Sequence, residues 1–346
     1  MARIIEMIAV DDLFDGMIAD DDVYNRYSIL LVSNGSILTA DKIDLLKRNG
    51  VRSINVRIPV TSVTEREDFQ QFSAHYNESV EAASEAIKNI SDGGLIDMEQ
   101  LYAVTDGIVG NLRIKSDIFT YMGFLKDHDD YTFSHSSNVA LLANVFARWM
   151  KFSEADVRDI TIAGMLHDIG KTKVPLEILN KPSKLTDEEY RIIKLHSING
   201  YTLLKDHDIP SRIKLAALNH HERINGEGYP RKLKGDKIDD FSKIIAICDV
   251  YDAMTANRCY RGKICPFDVI AKLESSSYGE MDTKYLLAFL KHVVYNYLNS
   301  WVMLSSDEEA EIMFINPASL TRPIVRAKGR VVNLAEERDI KITAIL

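Results

Sequence analysis

Nine histidines occur in the 346-residue chain, and six of them fall between His135 and His221. Five of these six stand in short, distinctive strings: FSHSSN, MLHDIGK, KLHSING and the doublet of NHHERINGEGYP. The run ICDVYDAMT, strand-like or a buried helical run, adds Asp249 beside apolar Ile245, Ala246 and Ile247. A carboxylate at the end of so apolar a run needs a partner, either a metal or another cation. Any fold open to this chain must therefore accommodate clustered imidazoles and a carboxylate between His135 and Asp249.

Each element has a plainer reading. A single histidine on a helix is most often a structural residue, and His75, His128, His207 and His292 are read that way. The pair His220-His221 could instead close a helix end by serving its last carbonyls. Taken together, the strings favour a site over five independent structural histidines.

Imidazole and carboxylate ligands suit Fe, Mn, Zn or Ni. A doublet such as His167-Asp168 can serve two ions at once, the imidazole ligating one and the two carboxylate oxygens bridging both. Two ions about 3.5–4 Å apart can activate a bridging water and stabilise charge on a phosphoryl group under in-line displacement. Lys171, four residues after His167, would lie near such ions if the local chain is helical, and could meet a phosphate oxygen. The stretch Gly226-Glu227-Gly228-Tyr229-Pro230 is a loop by its glycines and proline and would shape a pocket wall. Arg258 and Arg261, spaced i and i+3, could hold a phosphate or stack on a guanine base, or form a solvated helix face.

The rest of the chain frames this segment. Residues 1–62 read as a small mixed α/β domain, with strand-like runs at Ile4-Ile5, Ser28 to Val32 and Val51 to Ile58, turn signals at Asn34-Gly35 and Asn49-Gly50, and a short helix near Thr39 to Arg48. Residues 63–126 read as a helical linker, either a polar helix pair or a dimerisation stalk. Residues 127–300 are overwhelmingly helical, with capping-box starts at Ser153/Asp156 and Thr186/Glu189. Residues 301–346 read as a β-rich appendage, from the runs Ile312 to Ile315, Pro323 to Ala327 and Arg330 to Leu334. The fold class expected is mainly α.

The net charge of −9 speaks against a long nucleic acid or an anionic membrane as partner. Hydrophobic residues at 46% and charged residues at 27% describe an ordinary globular chain. Cys248, Cys259 and Cys265 form no disulfide framework, and neither a signal peptide nor a span of about 18 apolar residues is evident, so a cytoplasmic location is expected.

In order and spacing, the strings resemble the HD-GYP family, a branch of the HD-domain metal-dependent phosphohydrolases. The likeness runs from about Tyr131 to Arg261. It takes in His135, His167-Asp168-x-Gly170-Lys171, the segment with Pro175, Ile178, Leu179 and Lys181, and His196 with Gly200. It continues through His220-His221-Glu222, Gly228-Tyr229-Pro230 and Asp249-x-x-Asp252-Ala253 to Arg258, Tyr260 and Arg261. The resemblance implies an all-helical catalytic core, a di-iron or di-manganese centre, and hydrolysis of cyclic di-GMP to pGpG or on to GMP by a hydroxide bridging the metals. By position it implies His135, His167, Asp168, His196, His220, His221 and Asp249 as metal ligands, with Asp168 bridging. Lys171, Arg258 and Arg261 would contact substrate, beside Gly228, Tyr229 and Pro230. Some members carry a glutamate that supports a third metal where this chain has Tyr131, so two metals are expected. Cys259 and Asn225 replace the family's usual Pro and Asp without removing a ligand. Partners in keeping with this reading are cyclic di-GMP or a related cyclic dinucleotide, a second copy of the chain through the linker, and a diguanylate cyclase or other signalling protein. Other readings left open are a cyclic di-GMP receptor without turnover and a hydrolase of another nucleotide.

Overall fold

The computed structural model describes residues 3–14, 16–59, 67–109, 118–119, 122, 131–255, 265–276 and 279–346. The chain is mainly helical and divides into two compact units. One combines Met1–Gln70 and Cys265–Phe267 with Tyr297–Leu346; the other holds Gln71–Ile264 and Asp268–Asn296.

The first unit begins with β1 (Arg3–Ala9), β2 (Ile18–Ala19), the hairpin β3 (Val23–Tyr24) and β4 (Leu30–Val32), α1 (Ala40–Arg48) and β5 (Ser53–Pro59). The strands β1, β5 and β2 form an antiparallel sheet in that order, with β1 and β5 paired from Arg3↔Pro59 to Ala9↔Ser53. Its core is Val10, Leu13, Met17, Leu38, Leu46, Ile54 and Val56 with their neighbours. The run from Ser28 yields a strand only from Leu30. Ser28 adopts φ 61°, and the Asn25 side-chain oxygen Oδ1 accepts the amides of Tyr27 and Ile29 at 2.9 and 3.0 Å, which turns the chain before pairing starts. Both turn glycines, Gly35 and Gly50, have positive φ (78° and 70°).

The C-terminal strands join this same unit as a five-stranded antiparallel sheet. Its strands are β6 (Trp301–Leu304), β7 (Glu309–Phe314), β8 (Ile324–Ala327), β9 (Arg330–Asn333) and β10 (Ile342–Ile345), in the order β10-β6-β7-β8-β9. The two ends of the chain meet where the Arg57 guanidinium, ion-paired with buried Asp20, lies 4.6 Å above the Trp301 ring.

The helical unit contains most of α2 (Glu67–Ser91), then α3 (Met98–Val109), α4 (Tyr131–Trp149) and α5 (Glu154–Leu166). A 3₁₀ turn (Ile169–Lys173) follows, then α6 (Leu176–Leu179), α7 (Asp187–Lys194), α8 (His196–Leu204), α9 (Ser211–Asn219), α10 (Asp240–Thr255), α11 (Pro266–Ser276) and α12 (Thr283–Tyr295). Helix starts follow local chemistry. The Ser153 hydroxyl accepts the Asp156 amide at 3.1 Å, and Thr186 and Glu189 form a complete capping box. Helix α4 is buried nearly all round, from Val139 to Ala143 and again at Phe146 and Ala147, so it forms the centre of the bundle. Each of its valine, leucine and phenylalanine side chains removed from water contributes about 1.5–3 kcal/mol. His292 has the structural role read from the sequence: it stacks on Trp149 at 4.7 Å.

Helix α2 supports the site from outside. Its Tyr76 hydroxyl donates to Asn138 at 2.7 Å, and Ser91 meets both Thr172, hydroxyl to hydroxyl at 2.8 Å, and the Lys173 ammonium, carbonyl to Nζ at 2.8 Å. No helix among the described residues is long and apolar enough to cross a membrane.

Candidate metal centre

Three of the site histidines sit where helices end, and each uses one ring nitrogen on its own backbone. His167 closes α5, and its Nδ1 donates to the Gly164 carbonyl at 2.7 Å. His196 follows α7, and its Nδ1 donates to Ile193 at 2.6 Å. His220 closes α9, and its Nδ1 donates to Ala216 at 3.0 Å. Each carbonyl takes the imidazole N–H as an acceptor near its helix end, which fixes the tautomer and leaves Nε2 as a bare lone pair.

The freed nitrogens converge on Asp168, whose two oxygens face different neighbours. Oδ2 lies 3.2 Å from His167 Nε2 and 3.7 Å from His135 Nε2. Oδ1 lies 3.3 Å from His196 Nε2 and 3.7 Å from His220 Nε2. Two groups of potential ligand atoms result: His135, His167 and Asp249 on one side, and Asp168, His196, His220 and His221 on the other, each within a 4.8 Å span. All seven residues read as ligand candidates from the sequence are thus brought together.

Backbone packing holds the turn that carries Asp168 against α8. A Cβ on Gly170 would overlap the His196 carbonyl oxygen and the Gly200 amide, so only glycine allows this approach. Asp249 comes from α10, which is helical and buried along its apolar side; the sequence had left that run open between strand and buried helix. The same helix supplies a residue the sequence reading quoted in a motif without giving it a role. Asp252, fully buried, binds His135 Nδ1 at 2.7 Å, while Asp249 meets Nε2 of that ring at 3.1 Å. Its signal in the sequence was the spacing Asp249-x-x-Asp252, which puts both carboxylates on one helix face.

The electrostatics suit a cation. Burial opposes charge on Asp168 and Asp249, yet both carboxyls are held below the usual range, Asp168 by Lys171 and His167, Asp249 by its hydrogen bond from His135. Burial pushes His196 and His220 down and takes His221 to about 3, which favours the neutral form that a metal ligand requires. His135 goes the other way: burial opposes its charge, but the bonds to Asp249 and Asp252 raise it to about 10.

The donor set also fits metal ions by what it leaves unsatisfied. His167 Nε2 and Asp168 Oδ1 are buried without a sound hydrogen bond. The Nε2 atoms of His196 and His220 lie 3.2 Å apart, and with both Nδ1 atoms committed as donors, two lone pairs face each other. A divalent cation removes both conflicts.

Around the ligands, Lys171 pairs with Asp168 from a 3₁₀ turn instead of the helix supposed from the sequence. Tyr229 stacks on His221 at 4.6 Å, which places the Gly228-Tyr229-Pro230 loop at the wall of the site. Buried Glu222 anchors that loop by accepting the amides of Arg231 and Leu233 at 2.5 and 2.8 Å. A Cβ on Gly228 would overlap the backbone of His221 to Arg223, so the loop doubles back tightly onto the ligand pair. Arg258, Cys259, Tyr260, Arg261 and His128 lie outside the described residues, as does the side chain of Tyr131.

Residues 120–284 match the HD domain family. A cyclic di-GMP phosphodiesterase of Pseudomonas aeruginosa is 34% identical over 235 residues, which cover 68% of this chain and 56% of that protein. A 3′3′-cGAMP-specific phosphodiesterase of Vibrio cholerae is 39% identical over 155 residues, covering 44% of this chain and 36% of that one. A cyclic di-GMP phosphodiesterase of Thermotoga maritima is 36% identical over 179 residues, covering 51% and 48%. The chain spans little more than half the length of the first of these relatives and less than half of the other two. Residues 120–284 of this chain are thus an HD domain. The motifs from His135 to Tyr229 resemble those of its HD-GYP branch.

Proposed function

We propose that this chain is a metal-dependent phosphodiesterase that hydrolyses cyclic di-GMP to pGpG, GMP or both. The observation that carries the reading is the division of Asp168, whose two oxygens face two separate groups of histidines. That arrangement suits two cations: His135, His167 and Asp249 would hold one, His196, His220 and His221 the other, and Asp168 would serve both. Iron and manganese are the ions preferred. Such a pair supplies Lewis acidity and lowers the pKa of water toward neutrality, the requirements for cutting a phosphodiester.

The chain's own residues prepare the rest. Asp252 fixes the orientation of His135, and the backbone carbonyls of Gly164, Ile193 and Ala216 do the same for His167, His196 and His220. Lys171 places an ammonium beside Asp168, where it can meet a non-bridging phosphoryl oxygen as negative charge builds there. Tyr229 covers His221 and narrows access of water to that side. The likeness to a 3′3′-cGAMP-specific enzyme favours one second reading, in which the substrate is that mixed dinucleotide.

Anaerobic purification followed by elemental analysis, with chromatography of products from cyclic di-GMP and 3′3′-cGAMP, tests the proposal. About two metal ions per chain and turnover of one dinucleotide are expected, both lost in Asp168→Ala. Full activity in that variant would overturn the assignment.

A further inference from the structure

Three of four cationic side chains near the ligand cluster are engaged by oxygen acceptors. Lys171 is paired with Asp168, Lys181 with Glu189 at 2.6 Å, and Arg223 donates to the carbonyls of His220 and Glu222 at 3.3 and 2.9 Å. Lys194 differs. It is half-buried, two residues before His196, and makes no ion pair among the described residues. Its ammonium lies 4.8 Å above the Tyr190 ring and 5.7 Å above the Tyr229 ring. Tyr229 in turn stacks on His221. A row of His221, Tyr229, Lys194 and Tyr190 therefore leads outward from the ligand cluster, ending on a tyrosine that is 49% exposed, with Leu195 and Ile198 exposed nearby.

A cation over an exposed aromatic face is held by only about 0.5–1 kcal/mol, so Lys194 is free to exchange that contact for an anion. An exposed tyrosine ring beside it is a surface on which a base can stack. A cyclic dinucleotide offers both groups at the right places: a second phosphodiester across the ring from the one being cut, and a purine beside each.

We propose that Lys194 and Tyr190 form a substrate-binding shelf, Lys194 contacting the phosphodiester that is not cleaved and Tyr190 stacking a purine base. This inference rests on the reading of the site as one for a cyclic dinucleotide, and it adds two residues that read the part of the substrate distant from the metals. Linear product, once released from the ring constraint, would keep only part of these contacts.

The test is equilibrium binding of a phosphorothioate analogue of cyclic di-GMP to the full metal-loaded chain, with bis(4-nitrophenyl) phosphate as a diester lacking the second phosphate and the purines. Lys194→Met is expected to weaken analogue binding about 10-fold or more, the loss typical of a charge-assisted hydrogen bond, and Lys194→Arg to restore most of it. Tyr190→Ala is expected to weaken binding by about 5- to 100-fold and Tyr190→Phe to leave it near the parent, as stacking requires. The KM for bis(4-nitrophenyl) phosphate should stay unchanged in all four. Unchanged analogue binding in Lys194→Met and Tyr190→Ala, or an equal loss for both compounds, overturns the shelf, as does a parent chain that fails to bind the analogue. A parent that binds the analogue through these residues but turns over no dinucleotide would sink the proposed function and leave the shelf standing.

Discussion

Asp252 and His135 are joined at 2.7 Å, carboxylate to Nδ1, while Asp249, one turn earlier on the same helix, meets the opposite nitrogen of that ring. The imidazole is thus gripped from both sides by a single helix, and its Nε2 cannot turn from the cluster without breaking a buried bond. Replacing Asp252 by Asn should lower metal affinity by about 10- to 100-fold, the usual effect of removing a partner that orients a ligating histidine. Metal titration against a competing chelator measures it. Undiminished affinity would mean that packing alone sets the ring.

Lys171 should separate metal binding from turnover. Its ammonium pairs with Asp168 but is itself no metal ligand. Lys171→Met is expected to retain bound metal and lose about 100-fold in kcat, comparable to removing one donor to a developing negative charge. Elemental analysis beside single-turnover kinetics decides. A protein stripped of metal would show that the ammonium serves the carboxylate and not the substrate.

Much of this centre could be read along the chain, and the reason lies in its helix ends. Read alone, His220 invited either a capping role or a ligand role. The structure gives it both, Nδ1 to the Ala216 carbonyl and Nε2 to Asp168. The same division recurs at His167 and His196, so the local strings carry the geometry with them. Asp249 was identified, but not the helix that bears it, because a short apolar run of Ile, Ala and Cys has no period that separates strand from buried helix. The strands Trp301–Leu304 and Ile342–Ile345 went unread for a related reason: each is four residues long and takes its identity from partners in the sheet. That Arg57 would lie on Trp301 is a contact across some 240 positions, for which neither residue's neighbourhood contains a signal.

Glu222 offers a stability test away from the metals. Both its oxygens accept backbone amides of the loop after Tyr229. Glu222→Ala leaves those donors without partners, at a cost of about 1–3 kcal/mol for each that stays buried. Urea denaturation should show a lower midpoint with an unchanged slope. A midpoint equal to the parent's would mean that water replaces the carboxylate.

Stripping the metal should destabilise the helical unit. With facing lone pairs on His196 and His220 at 3.2 Å, the unloaded centre is internally repulsive. A ligand present at about 100 times its Kd adds roughly 2.7 kcal/mol to the folded state. Thermal denaturation with and without a chelator should therefore differ by several degrees, and the difference should shrink in a His196→Ala, His220→Ala double variant, which keeps the group of His135, His167 and Asp249. Equal melting temperatures for loaded and stripped parent would argue that no cation sits there.

The first compact unit draws on both ends of the chain, with Arg57 and Trp301 meeting inside it. In evolutionary or engineering exchange, the helical unit is then a cassette lodged within another module's reading frame. Swapping the N-terminal piece alone would orphan the last five strands, so a chimaera must splice near residues 71 and 296 together, with only Cys265–Phe267 of the first unit travelling with the insert.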